Sequence, residues 1–185
     1  MTERRSFWVR WRVAAGYLLA LLGFYFARPT RGSIIEGACI ALVGLVIRAL
    51  AAGIVRKGQQ LASSGIYAWT RNPLYLGSTV LAAGFVVGSN SWMVAAVVAG
   101  YILMFYPAVV RREERDLRER FGAEFAAYTS RVSGFFPWPT KQPRGAPKFS
   151  WAQYIRNHEF RAAIGMLVVM GVLVFRMWLL IKFNR

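Results

Sequence analysis

The sequence predicts an all-α, polytopic membrane protein, and two observations carry that prediction. Of the 185 residues, 56% are hydrophobic, and they come in long blocks. Apolar runs of about 20 residues are long enough to cross a bilayer as helices. The 24 Lys and Arg residues cluster at the ends of these blocks, as the loop charges of membrane proteins do. We therefore expect one integral membrane domain over residues 1–185, a helix bundle with about five spans.

The expected spans are justified in order by composition and length. The first has a basic start and no clear cleavage site, which favours a retained signal-anchor helix. The third run has only 15 residues, and roughly 22 Å of helix falls short of a hydrocarbon core of roughly 30 Å. Irregular backbone below the membrane surface must be buried or line a wet cavity, which favours a pocket there. The spans are expected at about 8–27, 33–55, 74–88, 92–110 and 162–181.

After the fourth span, apolar side chains recur at steps of three or four within a charged segment. This pattern predicts an interfacial amphipathic helix that bends at Gly122. Its apolar stripe consists of Leu117, Phe121, Phe125, Tyr128 and Val132.

The basic residues also predict the orientation. With the N-terminus in the cytoplasm, 18 Lys and Arg residues fall on the cytoplasmic side and 4 on the far side. Basic loops stay in the cytoplasm, so we expect both polar regions, about 56–77 and 111–137, to face it.

Composition narrows the function classes. A net charge of +16 would suit nucleic acid, but the position of the charges at span ends argues against that partner. The one cysteine, Cys39, and the one histidine, His158, are too few for a thiolate or zinc site, so no metal is expected. Dinucleotide-binding, P-loop and hydrolase-elbow motifs do not occur in the sequence.

The stretch Gly65–Gly77, which reads G-I-Y-A-W-T-R-N-P-L-Y-L-G, is the main candidate site. Asn72 and Pro73 are typical of a helix start, with Asn as the N-cap. The N–H groups of that helix and Arg71 would favour an anion such as a carboxylate. Tyrosine rings could stack a base or face a positive sulfur. S-adenosylmethionine has all these groups, although an ordinary aromatic belt also explains the rings.

Two pairs of interpretations stay open at this point. Glu113 continues the apolar stripe of the amphipathic segment and is expected to face a pocket, whereas Glu114 is spaced to pair with Arg118. Both glutamates could also belong to a solvated charge run. Arg48, inside the second span, is either a site residue or a side chain that snorkels to the interface.

Two motifs resemble the isoprenylcysteine carboxyl methyltransferases and their relatives, the phospholipid methyltransferases. The first is S-G-I-Y-A-W-T-R-N-P-L-Y-L-G; the second, after a helix hairpin, is R-R-E-E-x-x-L-x-x-x-F-G-x-E-F-x-x-Y-x-x-R-V. They stand in the family's order and at its distance, and the resemblance covers about residues 45–137. It implies an S-adenosylmethionine-dependent methyltransferase with a cytoplasm-facing pocket and a lipid-like or prenylated acceptor.

The resemblance also implies roles for individual residues. Arg71 and Glu113 would be the central catalytic-site residues, and Arg48, Arg111 and Arg112 would contact the acceptor. The cofactor would be bound by Gln59, Gln60, Leu61, Ala62, Tyr67, Arg71, Asn72, Pro73, Leu74, Tyr75, Glu113 and Glu114.

Three positions depart from the family pattern. Asn72 replaces the commoner His, so no imidazole base is available there. Ile66 stands where Pro is common, and apolar Val109 stands where the eukaryotic enzymes contact the prenylcysteine carboxylate. The resemblance therefore points to a prokaryote-like subgroup in the cell membrane, with no obligate protein partner implied. An NADPH-dependent reductase of the sterol-reductase type and a non-catalytic scaffold are the competing interpretations.

Overall fold

The computed structural model describes residues 16, 18–56, 59–138, 140 and 148–183, and these residues form helices and connecting segments without a strand. The prediction of an all-α fold is confirmed. The start of the first expected span, residues 8–15, lies outside the described residues. The helices are α1 (described residues 16 and 18–26), α2 (Arg31–Ala52), α3 (Pro73–Ser89), α4 (Trp92–Thr129), α5 (Trp151–Arg156) and α6 (Phe160–Phe183), with a 3-10 turn at Gly65–Ala68.

Three of the described helices, α2, α4 and α6, are long and apolar enough to cross a membrane. Helix α3 is also apolar but has 17 residues, slightly more than the 15-residue run expected from sequence. Most large apolar side chains on α6 are exposed, as expected of a helix that faces lipid. These features support an integral membrane protein, while the count of five spans and the orientation stay predictions.

Helices α2 and α3 pack with their backbones in close approach, because glycines face each other at the contact. A Cβ on Gly37 would lie 2.4 Å from the carbonyl oxygen of Gly84, and one on Gly84 would lie 2.6 Å from that of Gly37. About two turns further along α2, a Cβ on Gly44 would lie 2.7 Å from the amide nitrogen of Leu81. Small residues at such positions are how membrane helices gain packing contacts without a hydrophobic driving force. This close packing against α2 therefore fixes the position of α3, including its first turn.

Helix α4 differs from the expectation of two separate helices. It runs for 38 residues through the predicted end of the fourth span and contains the predicted amphipathic helix. The charged run that begins at Arg111 keeps helical periodicity, so nothing ends the helix at the end of the apolar block. Regular geometry fails only at Gly122, whose φ of 48° and ψ of −117° lie outside the helical region. The bend predicted at that glycine is confirmed, and it turns the last part of α4 toward the segment before α3.

Candidate functional site

A pocket of about 440 Å³ lies between the segment that precedes α3 and the charged part of α4. This volume falls within the range of roughly 300–1,000 Å³ that is typical of small-molecule sites. Its wall combines charged, aromatic and apolar side chains. The lining residues are Val55, Arg56, Gln60, Leu61, Ala62, Tyr67, Arg71, Asn72, Leu74, Glu113, Glu114, Asp116, Leu117, Arg120, Phe121, Phe125 and Tyr128.

The apolar floor of the pocket joins the segment before α3 to the end of α4. Leu61 packs in one buried cluster with Phe125, Tyr128 and Val132, while Leu117 and Phe121 pack against that cluster. The stripe predicted for the amphipathic segment thus faces protein, and four of its five residues line the pocket. Burying these rings against Leu61 supplies most of the apolar contact that holds the two sides together.

Tyr67 is fixed in the 3-10 turn Gly65–Ala68. Gly65 starts this turn with φ 58°, a conformation that glycine adopts without steric cost, and a Cβ there would meet the end of Ile54 at 2.4 Å. The hydroxyl of Tyr128 donates to the backbone carbonyl of Tyr67 at 2.7 Å. Burial, and after it the negative charge of Glu113, raise the pKa of Tyr67 well above its ordinary value. The phenol therefore stays protonated and can donate a hydrogen bond into the pocket.

Arg71 is held at the pocket wall by contacts at both ends of the residue. Its backbone N–H donates to the carbonyl of Ser133 at 2.9 Å, and its Nη2 lies 3.2 Å from Oε1 of Glu114. The Nε atom is buried and has no hydrogen-bond partner among the described residues. The guanidinium of Arg71 lines the pocket, so the wall is electrostatically suited to a ligand that brings an acceptor.

Two expectations about local partners are wrong. Glu114 was expected to pair with Arg118 at the helical spacing, but it pairs with Arg71 across the pocket. Asn72 was expected to cap α3 through its side chain, but it makes no capping hydrogen bond. Its Nδ2 instead donates to the carbonyl of Gly134 at 2.8 Å. In both cases a partner far away in the sequence, brought near by the fold, competes better than the local one.

The mouth of the pocket carries charges of both signs. Glu113 is exposed there, and Glu114 is half-buried. Asp116, Arg56 and Arg120 also line the pocket. A zwitterionic ligand can find partners for both of its charges in such a setting. No group of three or more His, Cys, Asp or Glu side chains in the described part of the chain is placed to hold a metal ion.

The structure brings most of the predicted cofactor residues to this pocket, but it places six candidates elsewhere. Gln59, Arg111 and Arg112 are exposed and do not line it. Pro73 is buried behind the wall, and the ring of Tyr75 packs edge-to-face on Tyr106 with 5.5 Å between the ring centres. Arg48 forms an ion pair with Glu159, which neither interpretation of that arginine anticipated. Functional roles for these residues stay predictions.

Sequence reasoning missed eight lining residues. Four of them lie on the apolar stripe that was assigned to the membrane interface. Glu113, which was expected to face a pocket, lies one turn before this stripe on the same helical face, and that spacing could have placed the four residues in the pocket. The spacing of Asp116 and Arg120 within the same helical face was a second such signal. The missed residues are Val55, Arg56, Asp116, Leu117, Arg120, Phe121, Phe125 and Tyr128.

Comparisons with known proteins agree with the resemblance. The family described as phospholipid methyltransferase matches residues 11–124, a range that includes Gly65–Gly77 and both pocket glutamates. No solved structure matches the chain significantly.

Three curated bacterial relatives are similar to parts of the chain. The cobalt-zinc-cadmium resistance protein CzcN of Cupriavidus metallidurans is 36% identical over 137 residues, which cover 69% of this chain and 62% of the relative. The nickel-cobalt-cadmium resistance protein NccN of Alcaligenes xylosoxydans xylosoxydans is 37% identical over 82 residues, 44% of this chain and 38% of the relative. Methanethiol S-methyltransferase 1 of Bradyrhizobium diazoefficiens is 38% identical over 74 residues, 40% of this chain and 25% of the relative. The chain thus spans less than two thirds of the length of each of them. By the match over residues 11–124, this chain belongs to the phospholipid methyltransferase family.

Proposed function

We propose that this protein transfers a methyl group from S-adenosylmethionine to a lipid-like acceptor within the membrane. Family membership supports a membrane methyltransferase. The observation that carries the cofactor assignment is the pocket whose wall includes the guanidinium of Arg71, which pairs with Glu114. A guanidinium suits the carboxylate of an amino-acid ligand.

The donor set of the pocket fits the parts of S-adenosylmethionine. Arg71 would hold the carboxylate through charge-assisted hydrogen bonds. Glu113 would accept from the ammonium group or from the ribose hydroxyls. The rings of Tyr67 and Phe121 lie in the same pocket and offer faces for the base or for a positive sulfur. The bound cofactor would supply an activated methyl group on that sulfur.

The chain's own residues would contribute by positioning and by exclusion of water. Leu61, Ala62 and Phe125 give the pocket an apolar inner wall. Such a wall lowers the local dielectric and favours loss of a localised positive charge. Arg71 and Glu113 would fix the orientation of the ligand, and holding two reactants in line lowers the entropic part of the barrier. The proposal requires no protein nucleophile.

The acceptor and the setting follow from the family and from the charge distribution. The family description names phospholipids, and the name of the Bradyrhizobium relative specifies a sulfur acceptor. These names support a lipid or lipid-soluble acceptor with an amine or a thiol, and the resemblance to the isoprenylcysteine enzymes adds a carboxylate. The predominance of basic residues in the expected cytoplasmic loops supports a pocket that faces the cytoplasm, and the bacterial relatives support a prokaryotic cell.

The test is methyl transfer by the purified protein in lipid nanodiscs. Methyl-labelled S-adenosylmethionine is supplied with a bacterial lipid extract or with a long-chain thiol, and label is followed into the organic phase. We expect transfer by the wild type and a loss of about tenfold or more in Arg71→Ala and Glu113→Ala, because each removes a charged partner. The control is Arg131→Ala, since Arg131 is exposed just after α4 and its Nε donates to the carbonyl of Ala127 in the last turn of that helix.

Two results would contradict the proposal. One is the absence of transfer to every acceptor, together with NADPH oxidation by the same protein, which would favour the reductase interpretation. The other is transfer that proceeds equally in all three variants, which would place the site elsewhere.

A further inference from the structure

The turn between α5 and α6, residues 157–159, contacts both sides of the pocket without lining it. Asn157 Nδ2 donates to the carbonyls of Ala52 and Val55 at 2.7 and 3.0 Å. Val55 is a lining residue, so this amide ties one wall to the turn. It also pairs the carbonyl of Ala52, which the end of α2 leaves open.

Glu159 reaches the opposite wall through Arg48. The carboxylate of Glu159 accepts from Nε and Nη2 of Arg48 at 2.5 and 3.1 Å, a two-pronged geometry. The remaining Nη1 of Arg48 donates to the backbone carbonyl of Leu74 at 3.4 Å and to the hydroxyl of Ser78. Leu74 lines the pocket in the first turn of α3. The chain of contacts therefore runs from the start of α6 through α2 to the pocket wall.

The surroundings leave this ion pair little freedom. Glu159 is 8% exposed, and the stem of Arg48 packs so close to Gly77 that a Cβ there would lie 2.6 Å from Cγ of Arg48. A two-pronged, partly buried arginine–carboxylate pair has one preferred geometry. Such pairs are weak evidence for stability but are well suited to holding one arrangement of the elements they join.

We propose that Glu159 is a positioning residue of the methyltransferase site. Through Arg48, it fixes the position of the first turn of α3. The proposal rests on the proposed function, and it makes α6 part of the site. Arg48 then acts on the pocket from behind Leu74. Asn157 serves the same purpose at Val55, on the other side of the pocket.

The first test compares Glu159→Gln with a matched control in nanodiscs. Two readouts are taken: the affinity for S-adenosylhomocysteine, and hydrogen exchange of the backbone over residues 72–78 without ligand. We expect Glu159→Gln to weaken binding about tenfold, or about 1.4 kcal/mol, and to speed exchange over 72–78. The control is Glu36→Gln, because Glu36 is an exposed glutamate on α2 that does not line the pocket.

A second variant separates positioning from stability. The double substitution Arg48→Met with Glu159→Leu replaces a buried ion pair by apolar side chains, an exchange that often preserves stability. We expect this variant to regain the thermal midpoint of the wild type but neither its affinity nor its slow exchange over 72–78. If the double variant regains all three, the pair only stabilises the fold and the proposal is overturned.

Failure of the proposed function gives a different pattern. A folded wild type that does not bind S-adenosylhomocysteine would remove the cofactor assignment. The exchange measurement would still decide whether Glu159 holds the first turn of α3, since it needs no ligand.

Discussion

At the residue scale, the pocket depends on side chains whose partners come from distant parts of the chain. The residue types in Gly65–Gly77 predicted a polar binding segment from sequence, and Arg71 lies in the pocket. The sequence could not predict that Glu114 would pair with Arg71, or that Arg48 would meet Glu159. Helical spacing informs only about neighbours within one helix, whereas both pairs join different elements.

Tyr67 provides a residue-scale prediction for pH dependence. Burial raises its pKa in the folded protein, while the unfolded chain ionises near the ordinary value of 10.0. Above that pH the unfolded state binds fewer protons than the folded state, so the stability should fall as the pH rises further. We expect the free energy of unfolding in detergent to decline above about pH 10 more steeply for the wild type than for Tyr67→Phe.

The matched control for this measurement is Tyr25→Phe, which removes the phenol of an exposed tyrosine and should keep the wild-type slope. Identical alkaline slopes for the wild type and Tyr67→Phe would show that the phenol of Tyr67 is not held in its protonated form by the fold.

At the element scale, length and apolar content predicted helices at every described span, because a bilayer allows few alternatives. The boundary between the fourth span and the amphipathic segment was not predictable in the same way. Composition changes sharply at Arg111, but helical geometry continues through it as far as the bend at Gly122. Composition indicates where a helix leaves the hydrocarbon core of the membrane. The point at which its axis changes direction is indicated by a residue with special backbone conformations, such as Gly122.

The bend at Gly122 gives an element-scale prediction. Its φ and ψ of 48° and −117° suit glycine and strain any residue with a Cβ, at a cost of about 1–3 kcal/mol. Gly122→Ala should therefore redirect the end of α4, displace Phe125 and Tyr128 from the pocket, and weaken binding of S-adenosylhomocysteine. The measurement is a binding titration alongside a thermal melt.

Gly100→Ala is the control within the same helix. Both glycines have open space around the Cβ position, but only Gly122 has a positive φ. Gly100→Ala should leave binding unchanged and slightly favour the helix. Equal behaviour of the two variants would show that the bend does not shape the pocket.

At the scale of the whole molecule, the described chain is a helical membrane protein that holds a mixed-charge pocket at the ends of its helices. Apolar blocks predicted the class, and two spaced motifs predicted the family, which is confirmed. The contacts that the turn before α6 makes with Arg48 and Val55 were not predictable, because they depend on two side chains, Asn157 and Glu159, in a short turn. Arg48 and Glu159 are 111 residues apart in the sequence, so only the folded structure shows their contact.

The most direct test of the central claim is calorimetric titration of the purified protein with S-adenosylhomocysteine. We expect the wild type to bind, and Arg71→Ala to bind more weakly because it loses a charge-assisted hydrogen bond of about 1.5–3 kcal/mol, which is roughly 10- to 150-fold. Glu113→Ala should also weaken binding, and Arg131→Ala should not. A well-folded wild type that releases no heat of binding, or an affinity that neither pocket substitution changes, would contradict the assignment of this pocket to the cofactor.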